Sequence, residues 1–312
     1  MRAIEAGDYV SRCHTLASLL EVSSYPKPGN IHRTRDSEDT QYEHFLSGSV
    51  ATAPVIRSLA SRAFLVDDGR YYEISIGKAV FDAVKEMMKW QHGGNVQLGI
   101  ILLHVPLAAA AGAVYSESRV EVDLLRNKTG EIIEKTRPTD AVKIYEAIGF
   151  AMKKRVLGEV EEMDISDSSS VEKIIQEKKT PPDIFKLCSD RDNICKEWIT
   201  NFEITFNQGY PYLKRLLSEG KKVNEATIKT FLYILSKHLD SLILRKSGRK
   251  VAEKVSKRAN ELLEISDKDI FNKNLLEMDR KLWEGKGLMN PGTTADLVSA
   301  SIFVLLLDGW RP

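Results

Sequence analysis

Apolar residues recur three and four positions apart in one segment after another, as at Ile228, Phe231, Leu232, Leu235, Leu239 and Leu242. That spacing lines one face of an α-helix, whereas strand-like alternation is scarce. The pattern predicts helices over about 5–22, 39–65, 74–91, 97–115, 138–155, 183–198, 202–218, 224–245, 248–264, 267–281 and 293–308. Val120 to Ile133 reads differently, because Glu-Val-Asp-Leu-Leu followed by Asn127-Lys128-Thr129-Gly130 suggests a small hairpin or loop. Asp164 to Pro182, with Ser168-Ser169-Ser170 and Pro181-Pro182, reads as a surface excursion. No helical-solenoid period is visible. The expectation is therefore an all-α, irregular multi-helix bundle forming one domain over 1–312, with a central cleft; two helical halves meeting at a cleft is the alternative.

Composition sharpens this in few places. A hydrophobic content of 43% over 312 residues is ample for a continuous core. The 45 Lys and Arg nearly cancel the 44 Asp and Glu, so no global field draws the chain to nucleic acid or anionic lipid, and any anion site must be local. The N-terminus lacks the apolar stretch of a signal peptide. The longest apolar run, Leu98 to Val114, is broken by His104, Pro106 and Gly112, which favours a buried helix over a membrane span. Cys13, Cys188 and Cys195 are too few and too irregular for a disulfide framework, and read as reduced thiols of a cytoplasmic protein. The six histidines show no metal-ligand spacing, and His104 reads as a hydrogen-bonded core residue.

Four segments could carry chemistry. In Glu21-Val22-Ser23-Ser24-Tyr25-Pro26-Lys27-Pro28-Gly29-Asn30-Ile31-His32-Arg33, two prolines and a glycine stiffen a loop that could hold amides and the cations Lys27, His32 and Arg33 against a phosphate chain. A plain helix stop with solvated basic residues is the bland alternative. Gln91-His92-Gly93-Gly94-Asn95-Val96-Gln97-Leu98-Gly99 offers paired glycines just before a helix N-terminus, or an ordinary interhelical turn. Asp240 to Gly248 places Arg245 and Lys246 where a helix C-terminus favours cations, with Asp240 facing either cleft or solvent. In Asn290-Pro291-Gly292-Thr293-Thr294-Ala295-Asp296, Thr293 and Asp296 have capping-box spacing, yet the crowding of hydroxyls and a carboxylate on one turn also suits a metal-phosphate group. Walker A, Rossmann and nucleophile-elbow patterns do not occur.

In order and spacing from about residue 15 to 307, these segments together resemble the triphosphoribosyl-dephospho-CoA synthase family. Glu21, Val22, Ser23 and Pro26 to Gly29 match its Glu-Val-Ser and Pro-Lys-Pro-Gly, Phe45-Leu46-Ser47-Gly48-Ser49 its Phe-x-x-Ser region, and Asn290 to Leu297 its Asn-x-Gly-x-x-Ala-Asp-Leu. Val96, Gln97 and Leu98 stand where the family has Thr, His and Lys, and Asn30-Ile31-His32-Arg33 replaces Leu-Val-Asp. The resemblance implies an all-helical enzyme that joins ATP through its ribose C1′ to the 2′-hydroxyl of 3′-dephospho-CoA and expels adenine, usually with Mg2+. It implies Glu21, Asp240 and Asp296 as candidates for catalysis or magnesium ligation. It places Lys27, Gly29, Asn30, His32, Arg33, Ser47, Gly93, Gly94, Asn95, Arg245, Lys246, Asn290, Gly292 and Thr293 around the nucleotide. A related transferase with another acceptor and a non-catalytic ATP-binding protein stay open, as does homo-oligomerisation.

Overall fold

The computed structural model describes residues 1–116, 119–152 and 169–312. Two helices are buried almost all round: α4 (Leu98–Ala113) and α15 (Gly292–Leu307) each hide 14 of 16 residues. A helix apolar on every side belongs in the centre of a bundle. The two pack on each other and on α1 (Arg2–Ser23), and α2 (Tyr42–Leu65) covers α1 and α4. Around them lie α3 (Ile76–Lys89), α5 (Val122–Glu134), α6 (Pro138–Ala151), α7 (Ser169–Gln176), α8 (Pro181–Lys186), α9 (Asn193–Ile199), α10 (Tyr210–Ser218), α11 (Val223–Lys237), α12 (Ser241–Ser247), α13 (Arg249–Leu263) and α14 (Lys268–Glu284). One apolar cluster runs from Ala6 to Leu307. No strand occurs among the described residues, and none of their helices is long and apolar enough to cross a membrane.

The expected all-α bundle is what forms, with local corrections. The hairpin expected at 120–133 is the helix α5, whose Leu125, Thr129, Ile132 and Ile133 are buried. Burial of that stripe overrides the turn-like Asn-Lys-Thr-Gly. The helix expected over 224–245 stops at Lys237, and Asp240 caps the new helix α12 instead of extending the old one. The helix expected over 183–198 is split into α8 and α9. A π-helical turn at Thr205–Gly209 precedes α10, where the buried Glu197 carboxylate accepts from the Ile204 and Thr205 amides. Of the excursion expected at 164–182, the part from 169 onward is α7 and its link to α8, with Ile174 buried against Ala141, Tyr145 and Ile184. The part before 169 lies outside the described residues, as do positions 153–155 of the helix expected over 138–155. The cysteines are not all free thiols: Cys188 and Cys195 are paired, with Cα atoms 5.8 Å apart, while Cys13 is free and buried.

Candidate functional site

The helix α1 ends at Ser23, and the chain then turns through a cis Tyr25–Pro26 peptide. Asn224, in the first turn of α11, clasps Tyr25 on both backbone sides: the Tyr25 amide donates to its Oδ1 at 2.9 Å, and its Nδ2 donates to the Tyr25 carbonyl at 2.6 Å. Gly29 has φ +73° and is boxed in by Leu282, the Met289 carbonyl and Pro291, so a side chain there would be both strained and blocked. Asn30 Nδ2 donates to the Pro291 carbonyl at 3.4 Å. The two segments furthest apart in sequence, around Lys27 to Asn30 and around Asn290 to Asp296, are thus in direct contact.

Below them the charged residues converge. Lys27 and Glu21 form an ion pair with each residue only 2% exposed. Burial raises the Glu21 pKa, and the Lys27 ammonium opposes the rise. Asp240, 1% exposed, spends both oxygens on the backbone: Oδ1 accepts from the Leu242 and Ile243 amides, and Oδ2 accepts from the Thr294 amide and hydroxyl at 2.7 and 2.8 Å. Thr293 and Asp296 therefore do not form a capping box; Asp240, from another helix, caps the start of α15. Asp192 caps α9 through the Ile194 amide and pairs with Arg245. Asn193 next to it bonds the Ser241 hydroxyl and the Leu239 carbonyl, tying α9 to the start of α12.

Asp296 differs from its neighbours. Its carboxylate lies against Gly99 in the first turn of α4, so closely that a Cβ at 99 would fall 2.0 Å from its Oδ2. Among the described residues nothing hydrogen-bonds or ion-pairs with it. Protein surrounds the group, yet the residue keeps a solvent-reachable face, as do Asp192, Gly99, Asn290 and Gly292. Burial, followed by the charges of Glu21 and Asp240, raises the Asp296 pKa well above the usual carboxylate range.

Other expected site residues fall elsewhere. Ser47 donates to the Trp90 carbonyl at 2.6 Å, and Gly93 is pressed against the His44 ring, so both belong to the packing of α2 on the 91–95 turn. Gly94 does take the expected positive φ, +75°. Asn95 Oδ1 receives the Leu98 amide at 3.0 Å and so serves the start of α4. Arg33 is exposed over the Tyr25 ring, while Arg245 and Lys246 lie exposed in the last turn of α12, as a helix C-terminus favours. Lys27 is a buried counter-ion rather than a solvent-facing clamp. Among the described residues no group of three His, Cys, Asp or Glu side chains is gathered for one ion, and Mg2+ in nucleotide sites is held by one or two carboxylates together with the phosphates. Sequence reasoning missed Asp192, which an N-cap reading of Asp192-Asn193 could have found. It also missed Asp279 of α14, whose Oδ1 accepts the Gly29 amide at 2.9 Å and which no local sequence signal marks.

The fold defines an all-helical protein in which the starts of α4 and α15 meet around one uncommitted acid. The chain belongs to the ATP:dephospho-CoA triphosphoribosyl transferase family, CitG, whose pattern it matches over residues 7–312. Among solved structures it resembles a candidate triphosphoribosyl-dephospho-CoA synthase from Archaeoglobus fulgidus. The identity is 26% and the TM-score 0.64, over 85% of this chain and 100% of the other. No curated protein gives a significant match.

Proposed function

We propose that the protein transfers the triphosphoribosyl group of ATP to the 2′-hydroxyl of 3′-dephospho-CoA, releasing adenine, and that the reacting ribose binds at the solvent-reachable face around Asp296. Family membership over nearly the whole chain supports the reaction. The observation that carries the location is that Glu21, Asp192 and Asp240 are committed to protein partners while Asp296 is not. In the transfer the C1′–N9 bond breaks, the acceptor oxygen bonds to C1′, and the hydroxyl proton ends on adenine. Asp296 takes that proton from the hydroxyl; its raised proton affinity makes its carboxylate a stronger base than a solvated aspartate. The other three carboxylates add negative potential where C1′ gains positive charge. The triphosphate lies towards the N-terminal ends of α4 and α15, whose dipoles favour anions, with Arg245 and Lys246 at the rim. Among the described residues no three His, Cys, Asp or Glu side chains are gathered for one ion.

Incubation with ATP, magnesium and dephospho-CoA is expected to release adenine in proportion to product; no adenine above a protein-free control overturns the proposal. One observation favours a second reading with another hydroxyl acceptor. Where the family has Thr, His and Lys, Val96 and Leu98 are buried and Gln97 bonds the Phe45 carbonyl and Ser49 hydroxyl. Adenine release with a different hydroxyl compound, and none with dephospho-CoA, decides for that reading.

A further inference from the structure

Asp279 lies on α14, 250 positions from the Pro-Lys-Pro-Gly loop, and is 5% exposed. Its Oδ1 accepts the Gly29 amide at 2.9 Å. Its Oδ2 stands 3.6 Å from the Arg35 guanidinium and 3.9 Å from His32 Nε2. One turn further along α14, Trp283 carries the same Arg35 guanidinium over its ring at 4.7 Å. A single carboxylate thus touches the loop at its glycine, at its histidine and just past its end. The contact at His32 is incomplete. The Thr34 amide faces His32 Nδ1 at 3.4 Å, which leaves the ring hydrogen on Nε2, and that buried atom has no hydrogen-bond partner. Asn290 Oδ1, on the segment against which Gly29 packs, is likewise buried and unpaired. Buried polar atoms are nearly always satisfied, so two open ones on facing segments mark a place where the loop is held in a shape its own bonds do not explain.

We infer that Asp279 is a positioning residue that holds the Lys27 to Arg35 loop against the Asn290 to Asp296 segment beside the proposed ATP site, acting through Gly29, His32 and Arg35 without touching substrate. This rests on the proposal that ATP binds at the neighbouring Asp296. Asp279→Asn keeps an oxygen for the Gly29 amide and removes the charge facing His32 and Arg35, whereas Asp279→Ala removes both. For Asp279→Asn, with a thermal midpoint within a few degrees of wild type, the expected result is a KM for ATP raised about tenfold. Its kcat should stay within about threefold, and the KM for the acceptor should not change. Asp279→Ala should raise the KM for ATP further and speed amide exchange across residues 27–35 ahead of α4 and α15. Unchanged KM for ATP in both variants, or equal rises for both substrates, overturns the inference. If wild type itself releases no adenine, the functional proposal falls, and exchange alone decides: faster exchange confined to the loop in Asp279→Ala upholds the positioning role, and unchanged exchange removes it.

Discussion

The helices α1, α4 and α15 bury polar side chains at two levels. At the inner level His14 and His104 meet through their Nδ1 atoms at 2.9 Å. Thr52 closes the far side of His14 at 2.9 Å, and Ser299 the far side of His104 at 3.3 Å. Phe303 stacks on His104 at 4.5 Å between centroids. All four ring nitrogens have partners, and no water is needed. At the outer level the same helices supply Glu21, Gly99 and Asp296, and there Asp296 has none. The inner group is polar structure, costly to bury but complete. The outer group combines burial, like charge and an open valence, a combination that serves chemistry better than stability.

Asp296→Asn should have the largest effect. It removes the proton acceptor but not the shape, so kcat for adenine release should fall about 10²- to 10⁴-fold. The thermal midpoint should hold or rise, because the amide carries no charge to be buried among like charges; a midpoint that falls with kcat would make Asp296 structural. Lys27→Met should come next, lowering stability in chemical denaturation by about 3–5 kcal/mol, because it leaves Glu21 charged and unpaired. Adding Glu21→Gln should restore most of that loss; no restoration would mean that the pair is not what makes Lys27 necessary. His104→Ala should cost about 2–4 kcal/mol through a cavity and two lost hydrogen bonds. Adenine release per folded molecule should stay within about threefold, and a larger loss would erase the distinction between the levels.

Acid should separate the two levels by sign. Burial lowers the His14 pKa from 6.5 to about 3 and drives His104 well below 6.5. Between those values the unfolded chain binds more protons than the native one, so the histidines cost stability as pH falls from about 6.5 toward about 3. Asp296, with a raised pKa, works the other way: above 3.8 the native state holds the extra proton, and its contribution is lost as pH rises through the folded value. Denaturation of wild type and Asp296→Asn across this range should show the variant gaining on wild type towards high pH, while both weaken together in acid. Parallel curves throughout would contradict the assignment.

The apolar runs of α4 and α15 were plain in the sequence because burial on every face leaves no polar stripe to confuse the pattern. The meeting of the first loop with Asn290 to Asp296 was legible only through the family resemblance, since each segment alone reads as a cap or a turn. The break at 238–240 was not legible, because Leu235, Leu239 and Leu242 keep helical spacing across it while Asp240 turns to cap α12. Nor was the different standing of the three acids, which depends on partners 6 to 54 positions away. The bond between Cys188 and Cys195 was missed for a similar reason: the tertiary placement of α8 and α9 brings them together.

The most direct test of the account is a structure with ATP bound. The ribose C1′ should lie within about 4 Å of the Asp296 carboxylate, as a near-attack arrangement requires, with the triphosphate at the starts of α4 and α15. ATP bound with C1′ more than about 8 Å from Asp296, beyond the reach of such an arrangement, would contradict it.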